Sequence, residues 1–366
     1  MLDLFNKAKN SYLCNTSYPL DKSNFINYKT NQSLEFNEDK LCLYIHIPFC
    51  TKLCSFCEYV KFRKDNSELE KIYIDILEKD IDEFLNNHDF TLYGFDIGGG
   101  TPTSLSAKDL ETVMKAVSES FDLSSLREYT VEAGRPDSIT KEKLEVMKHH
   151  GCTRISINPQ TMNLETLRTI GRAHTPADIK QAMNEARKVG FKNINMDIIA
   201  GLPNETLDDM AYTLDEIEKM KPESITVHSL AIKRAADLNQ QYEYYKDKIN
   251  QDMDAMISLA TRRTKEMGMV PYYLYRQKNI AGNLENTGFA KEGLECIYNV
   301  LIMEERLDTF AAGAGAVTRL LNIEDGKVTR VDRVENVKNI DEYITRLDEM
   351  LTRKQSGVDS RIIIEN

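Results

Sequence analysis

The chain has 366 residues, a formal net charge of −11 and an apolar fraction of 41%. That apolar share is ample for a packed core, so disorder is not the default, and the acidic balance argues against a dedicated nucleic-acid binder, which needs a basic face for phosphates. No stretch approaches the roughly 20 apolar residues of a membrane span. The polar start MLDLFNKAKNSYLCN lacks the apolar segment of a signal peptide, so the expectation is a cytoplasmic protein with no nucleic-acid or membrane partner. A local basic pocket for a carboxylated substrate is compatible with the acidic total, because net charge says little about one cleft.

Residues 1–40 carry little periodicity and read as an N-terminal leader. From Leu41 apolar runs of strand length, at 41–47, 92–97, 128–132, 153–157, 193–199 and 223–229, alternate with amphipathic stretches of helix length. The helices are predicted at about 67–87, 107–120, 140–150, 163–189, 206–219 and 237–267, with Ser106 and Thr140 where N-caps belong. Six strand-then-helix units predict an α/β fold, a parallel sheet curled into a partial (β/α)6 TIM-type barrel over residues 41–267, with its chemistry at the C-terminal strand ends. After 267 the rhythm breaks. VPYYLYRQKN, ECIYNVLIMEE, the Gly-rich AAGAGAVTRL and a closing helix at 338–353 suggest a C-terminal α+β subdomain over 268–366.

Of seven cysteines, Cys14, Cys42, Cys152 and Cys296 are scattered, whereas Cys50, Cys54 and Cys57 crowd into eight residues directly after the first strand. In a reducing compartment this favours metal or redox chemistry over a disulfide framework. A four-iron cluster ordinarily takes four thiolates. Three local thiolates leave one iron open, able to chelate an amino and a carboxylate group and pass on an electron. A zinc site is the alternative; it wants four ligands, and His46 is the only nearby addition.

The motif C-x3-C-x-aromatic-C, with Phe56 as the aromatic residue, resembles the signature of the radical S-adenosylmethionine (SAM) superfamily. The surrounding YIHIPFC resembles the branch built around oxygen-independent coproporphyrinogen III dehydrogenase, which also holds haem chaperones and class C radical methyltransferases. This likeness, running from about Leu41 to Leu351, implies a [4Fe–4S] cluster on Cys50, Cys54 and Cys57, with one SAM and room for a second.

Gly98, Gly99, Gly100 and Thr101 follow the second strand, where consecutive glycines allow close backbone approach and their N–H groups can receive an anionic carboxylate. By resemblance this GGGTPT segment holds the methionine part of SAM. The same resemblance puts Tyr44 near the sulfonium and Phe56 by the adenine, and makes Glu132, Arg172 and Asp197 the anchors of the amino, carboxylate and ribose groups. Gln160, Ile199 and Ala231 complete the implied cofactor environment, with Gly98, Gln160 and Ala231 near a second SAM. The residue types suit those groups: ribose hydroxyls and an ammonium want carboxylates, and a carboxylate wants a guanidinium.

The strings VEAGRPD (131–137), RISINPQTMN (154–163), VHSLAIKRAA (227–236) and YYLYRQKN (272–279) look like the HemZ branch of this family, whose members usually carry a longer N-terminal region. Tyr59 stands where the best-understood dehydrogenases have a further cysteine. The resemblance implies oxidative decarboxylation of porphyrinogen propionates, with a carboxylated tetrapyrrole as substrate and an electron donor such as flavodoxin or ferredoxin. Arg234, Arg276, Lys278 and Arg319 are candidate cations for its carboxylates, Tyr272, Tyr273 and Tyr275 candidates for stacking. A radical methyltransferase and a haem-binding protein using His228 stay open.

Overall fold

The computed structural model describes residues 16–17, 40–57, 59–85, 90–230, 253–276, 285–325 and 327–362. Six parallel strands form its centre: β1 (Lys40–Ile47), β2 (Thr91–Gly99), β3 (Glu128–Val131), β4 (Arg154–Ser156), β5 (Asn193–Ala200) and β6 (Ser224–Ser229), each hydrogen-bonded to the next. Their side chains are buried on both faces. In β1, Leu41, Cys42, Leu43, Ile45 and Ile47 all lie in the core, as expected of a parallel sheet covered by helices.

The helices between them are α1 (Ser67–Leu85), α2 (Ala107–Ser120), α3 (Lys141–His149), α4 (Leu164–Thr169), α5 (Pro176–Val189) and α6 (Leu207–Met220), followed by α7 (Met253–Glu266). Ser106 and Thr140 do cap α2 and α3, accepting from the amides of Asp109 and Lys143. The single helix expected over 163–189 is two. Gly171, at φ 78°, takes the chain out of α4. Thr175 and Asp178 then form a reciprocal capping box, with Pro176 in the first turn of α5. Arg172 therefore sits in a loop and not on a helix. Residues 237–252 of the sixth predicted helix lie outside the described residues.

The strands after α7 extend this same sheet at both sides. β7 (Val270–Arg276) and β8 (Asn286–Ala290) form an antiparallel pair, and β8 adds to β6; β9 (Asp308–Ala312) runs parallel to β1 and leads into the antiparallel β10 (Val317–Glu324) and β11 (Lys327–Glu335). Among the described residues the order is Thr16–Ser17, β7, β8, β6, β5, β4, β3, β2, β1, β9, β10, β11. Between β7 and β9 lies the short helix α8 (Ile297–Met303); α9 (Ile340–Thr345) and α10 (Leu347–Ile362) close the chain, the predicted 338–353 helix being broken at Arg346.

A buried ion pair ties the end of the chain to its beginning. The Nζ of Lys354 on α10 meets the carboxylate of Asp80 on α1, both nearly inaccessible to water. The same carboxylate accepts from Tyr343 Oη at 2.5 Å and from the Gly313 amide at 3.2 Å. Tyr73, two turns earlier on the same face of α1, donates to the His46 carbonyl at 2.8 Å and accepts from the Ala314 amide. This polar knot holds the glycine turn after β9 against the end of β1, where the cysteine loop starts.

Candidate active site

The loop after β1 is shaped by its own backbone. Phe49–Cys50 pairs with Phe62–Arg63, the Phe62 amide donates to Pro48 O at 2.7 Å and the Lys64 amide to Cys50 O at 2.8 Å. Inside this closed loop the Cys57 amide donates to Cys54 O, and the Ser55 amide donates across to Ile170 O beside the α4–α5 turn. Cys50 and Cys54 are buried and Cys57 half-buried. Burial pushes the Cys50 thiol up, against a 3.3 Å hydrogen bond with Thr101 Oγ1 and the nearby Arg135 guanidinium.

All three thiols line one cavity of about 550 Å³. Phe56, Gly99, Gly100, Thr101, Glu132, Gln160, Arg172, Asp197 and Ile199 line it too. All but Arg172, which comes from the α4–α5 loop, come from the C-terminal end of a central strand or the loop after it, which is why residues more than a hundred positions apart in sequence meet. Tyr44 and Gly98 are not on the cavity wall. Tyr44 packs one layer beneath it, its hydroxyl 3.0 Å from His46 Nδ1 and 3.3 Å from where a Gly98 Cβ would stand. Ala231 lies outside the described residues, as do Arg234 and Lys278 and the side chain of Arg276.

The glycine run is used differently from the expectation. The Gly100 amide donates to Ile47 O at 2.7 Å and the Thr101 amide to Phe49 O at 2.9 Å, so these N–H groups are spent on the cysteine loop and cannot receive a carboxylate. A Cβ on Gly99 would lie 2.7 Å from the His46 ring, and one on Gly100 2.8 Å from Phe49 O. The glycines are there to let the two strand-end loops touch. His46 has both ring nitrogens engaged, Nδ1 with Tyr44 and Nε2 with Val60 O at 2.8 Å, and burial lowers it to about 4. It is not placed to be the fourth ligand of a zinc ion. Among the described residues no three His, Cys, Asp or Glu side chains converge on one ion-sized point; the thiols line the cavity instead.

The remaining wall is polar and incompletely paired. Asp197 is held by Asn195 Nδ2 at 2.6 Å and lies 3.6 Å from His228 Nε2; burial raises its carboxyl, but these partners bring it net below the usual carboxylate range. Glu132, open to the cavity but walled by protein behind, is pushed up to about 7 by that enclosure and by the charge of Asp197. Gln160 has φ 66°, a left-handed conformation costly for a side-chain-bearing residue. It is held there by a bracket to β5, its amide on Asp197 O and its carbonyl accepting from Ile199. Its Oε1 is buried without a partner, as are Asn158 Oδ1, Arg135 Nη1 and Arg172 Nε. Arg172 also donates to Gly134 O at 3.1 Å and stands 5.9 Å over the Phe56 ring. Buried polar atoms are ordinarily satisfied, so this set of unmatched donors and acceptors fits a bound zwitterion with ribose hydroxyls.

Sequence reasoning missed Arg135, Arg154, Asn158 and Asn195, all on the cavity wall. Arg135 Nη2 donates to Cys54 Sγ at 2.9 Å and to the Lys52 carbonyl. Arg154 is buried among carboxylates. Arg135, Arg154 and Asn158 sit in the strings VEAGRPD and RISINPQTMN, so the signal was visible but carried no role. Of the residues suggested for substrate, Tyr273, Tyr275 and Arg319 reach the cavity and Tyr272 does not line it.

A curled parallel sheet with three cysteines of C-x3-C-x2-C spacing around its mouth defines a class, and comparison with known families agrees: the pattern described as the Radical SAM superfamily matches residues 44–217. The chain belongs to this superfamily, in its HemN/HemW-like family, and is a radical SAM enzyme whose cofactors are a [4Fe–4S] cluster and SAM. It is 40% identical over 312 residues to the oxygen-independent coproporphyrinogen-III oxidase-like protein HemZ of Bacillus subtilis, covering 83% of this chain but only 62% of that protein's length. It is 31% identical over 278 residues to the heme chaperone HemW of the same organism, covering 75% of this chain and 69% of HemW. The solved structure of coproporphyrinogen III oxidase (HemN) from Escherichia coli superposes with a TM-score of 0.69 at 22% identity, over 96% of this chain and 78% of that one, which shows a shared fold. Among the described residues no helix is long and apolar enough to cross a membrane.

Proposed function

We propose that the protein is a coproporphyrinogen III dehydrogenase-like enzyme that oxidatively decarboxylates propionate side chains of a porphyrinogen. Cys50, Cys54 and Cys57 would hold the cluster, and Arg172, Asp197, Glu132 and Gln160 would hold SAM, with Gly99 and Gly100 on the wall beside them. Bound there, the two cofactors supply an electron and a carbon-centred oxidant strong enough to take a hydrogen atom from an unactivated carbon. The chain's own residues orient and shield. Arg135 neutralises the Cys54 sulfur, Phe56 and Arg172 close over the loop, and the strand ends hold polar groups aimed at the cofactor.

For each propionate arm the balance is one hydrogen atom removed, one carbon dioxide lost and one electron passed to an acceptor, leaving a vinyl group. A small electron carrier of the flavodoxin or ferredoxin kind would feed the cluster. The single observation that supports this reading best is the convergence of the three thiols, the SAM-type polar set and the cationic Arg319 on one cavity. Tyr59, where a further thiol is expected in such dehydrogenases, stands exposed at the mouth of that cavity.

The similarity to HemW favours a second reading, haem binding. For that role His228 would have to leave Asp197. A methyltransferase would instead release S-adenosylhomocysteine. Anaerobic reconstitution with iron, sulfide, reductant, SAM and coproporphyrinogen III, followed by mass spectrometry, distinguishes these. Vinyl products with 5′-deoxyadenosine support the proposal. Porphyrin left unchanged while SAM is cleaved removes the substrate, and stoichiometric haem uptake without turnover favours the second reading. Cys54→Ala should lose both the brown absorbance and SAM cleavage, and their persistence would refute the ligand assignment.

A further inference from the structure

The wall of the cavity contributed by the last strands is charged in a way the cofactors do not account for. Along β10 the residues alternate: Val317 and Arg319 line the cavity, while Thr318 and Leu320 are buried. The antiparallel register sets Arg319 directly opposite Arg333 on β11, and Arg333 lines the same cavity. Two like charges facing each other across a strand pair are destabilising unless something answers them.

Glu305 answers in part, its carboxylate 3.2 Å from Arg319 Nη2. It is delivered from the second residue beyond α8 at φ 51°, a left-handed backbone that a glutamate adopts at a cost. One carboxylate against two guanidiniums leaves this wall net cationic. Arg319 Nη1 is committed to Ile302 O, while its Nε is buried with no partner. The neighbours on this wall, Ile302 and Met303, are apolar, so the pair lies beside a surface suited to a hydrophobic body with acidic arms.

We propose that Arg319 and Arg333 form a carboxylate subsite that holds one aliphatic acid arm of the substrate, with Glu305 setting the orientation of Arg319. This rests on the tetrapyrrole reading of the proposed function. The planar guanidinium suits two-point recognition of a carboxylate, and Arg333, exposed at the rim, is placed to steer it in.

The test uses the full-length, cluster-loaded protein with SAM, kept anaerobic, and coproporphyrin III as a fluorescent non-reacting probe beside its tetramethyl ester. Arg333→Gln and Arg319→Gln should each weaken tetra-acid binding roughly tenfold, the size expected for losing a charge-assisted hydrogen bond. Ester binding should not move, and Arg319→Lys should recover part of the loss. SAM affinity and cluster absorbance report folding; Arg333, at the surface, leaves a usable variant even where Arg319→Gln does not fold. Unchanged tetra-acid affinity in Arg333→Gln and in any folded Arg319 variant would overturn the subsite and leave the proposed function standing. Wild-type protein that cleaves SAM but binds neither porphyrin would overturn both.

Discussion

Arg135 Nη2 donates to the Sγ of Cys54 at 2.9 Å, from a loop 81 residues further along the chain. The same guanidinium grips the Lys52 carbonyl, so one side chain fixes the backbone of the cysteine loop and the charge on its central sulfur. Hydrogen bonds to cluster sulfurs raise reduction potential by stabilising the more negative state. Arg135→Gln should therefore still bind iron through three cysteines but titrate at a lower potential, by roughly 60 mV for each tenfold change in a one-electron equilibrium. Redox titration followed by electron paramagnetic resonance measures it; an unchanged midpoint would reduce Arg135 to a loop brace.

The proposed role of Glu132 in holding SAM predicts a pH dependence of SAM binding. The Glu132 carboxyl is pushed up to about 7 by its enclosure and by Asp197, so below that value it takes up a proton and becomes neutral. A cationic ligand binds the ionised form. Affinity for SAM should thus be complete near pH 8 and fall by up to about tenfold per unit on the acid side of 7, by proton linkage. Glu132→Gln should bind more weakly and lose that slope. Isothermal titration at several pH values checks both, and a slope surviving in the variant would move the titration to another group.

Gln160 offers a separation of stability from binding. Because its φ of 66° suits glycine, Gln160→Gly should be neutral or stabilise the fold by up to about 1 kcal/mol, while removing the unpartnered Oε1 weakens SAM binding. Denaturant melts and SAM titrations on the same preparation decide it. Loss of stability would mean that the amide side chain serves the fold.

The Lys354–Asp80 pair predicts a purely structural effect. Lys354→Met leaves the Asp80 carboxylate buried with only the Tyr343 hydroxyl and amide donors, and should cost about 3–5 kcal/mol in urea unfolding. Tyr59→Ala, at an exposed position, should change stability by less than about 0.5 kcal/mol. A Lys354→Met protein as stable as the wild type would show that the polar knot contributes specificity and not stability.

Much of this molecule was legible without coordinates because the relevant signals are local. Six strands were readable from apolar runs bounded by turns, and the caps of α2 and α3 from one residue each at Ser106 and Thr140. The thiol triad needed only its own spacing. The helix over 163–189 misled because its apolar periodicity continues across Gly171 and Pro176, whose breaking effect was outvoted in the pattern.

What the amino-acid order determined by itself was the alternation of strand and helix and the chemistry of the cysteine loop, since both depend on residues within a turn or two of each other. Only the tertiary structure decided how the parts were used. The Gly100 amide went to Ile47 and not to a ligand, Arg135 reached Cys54, and Arg319 came to face Arg333 in the same cavity wall. Each of those outcomes is a choice among distant partners, made by the register of a curled sheet that gathers its strand ends at one mouth.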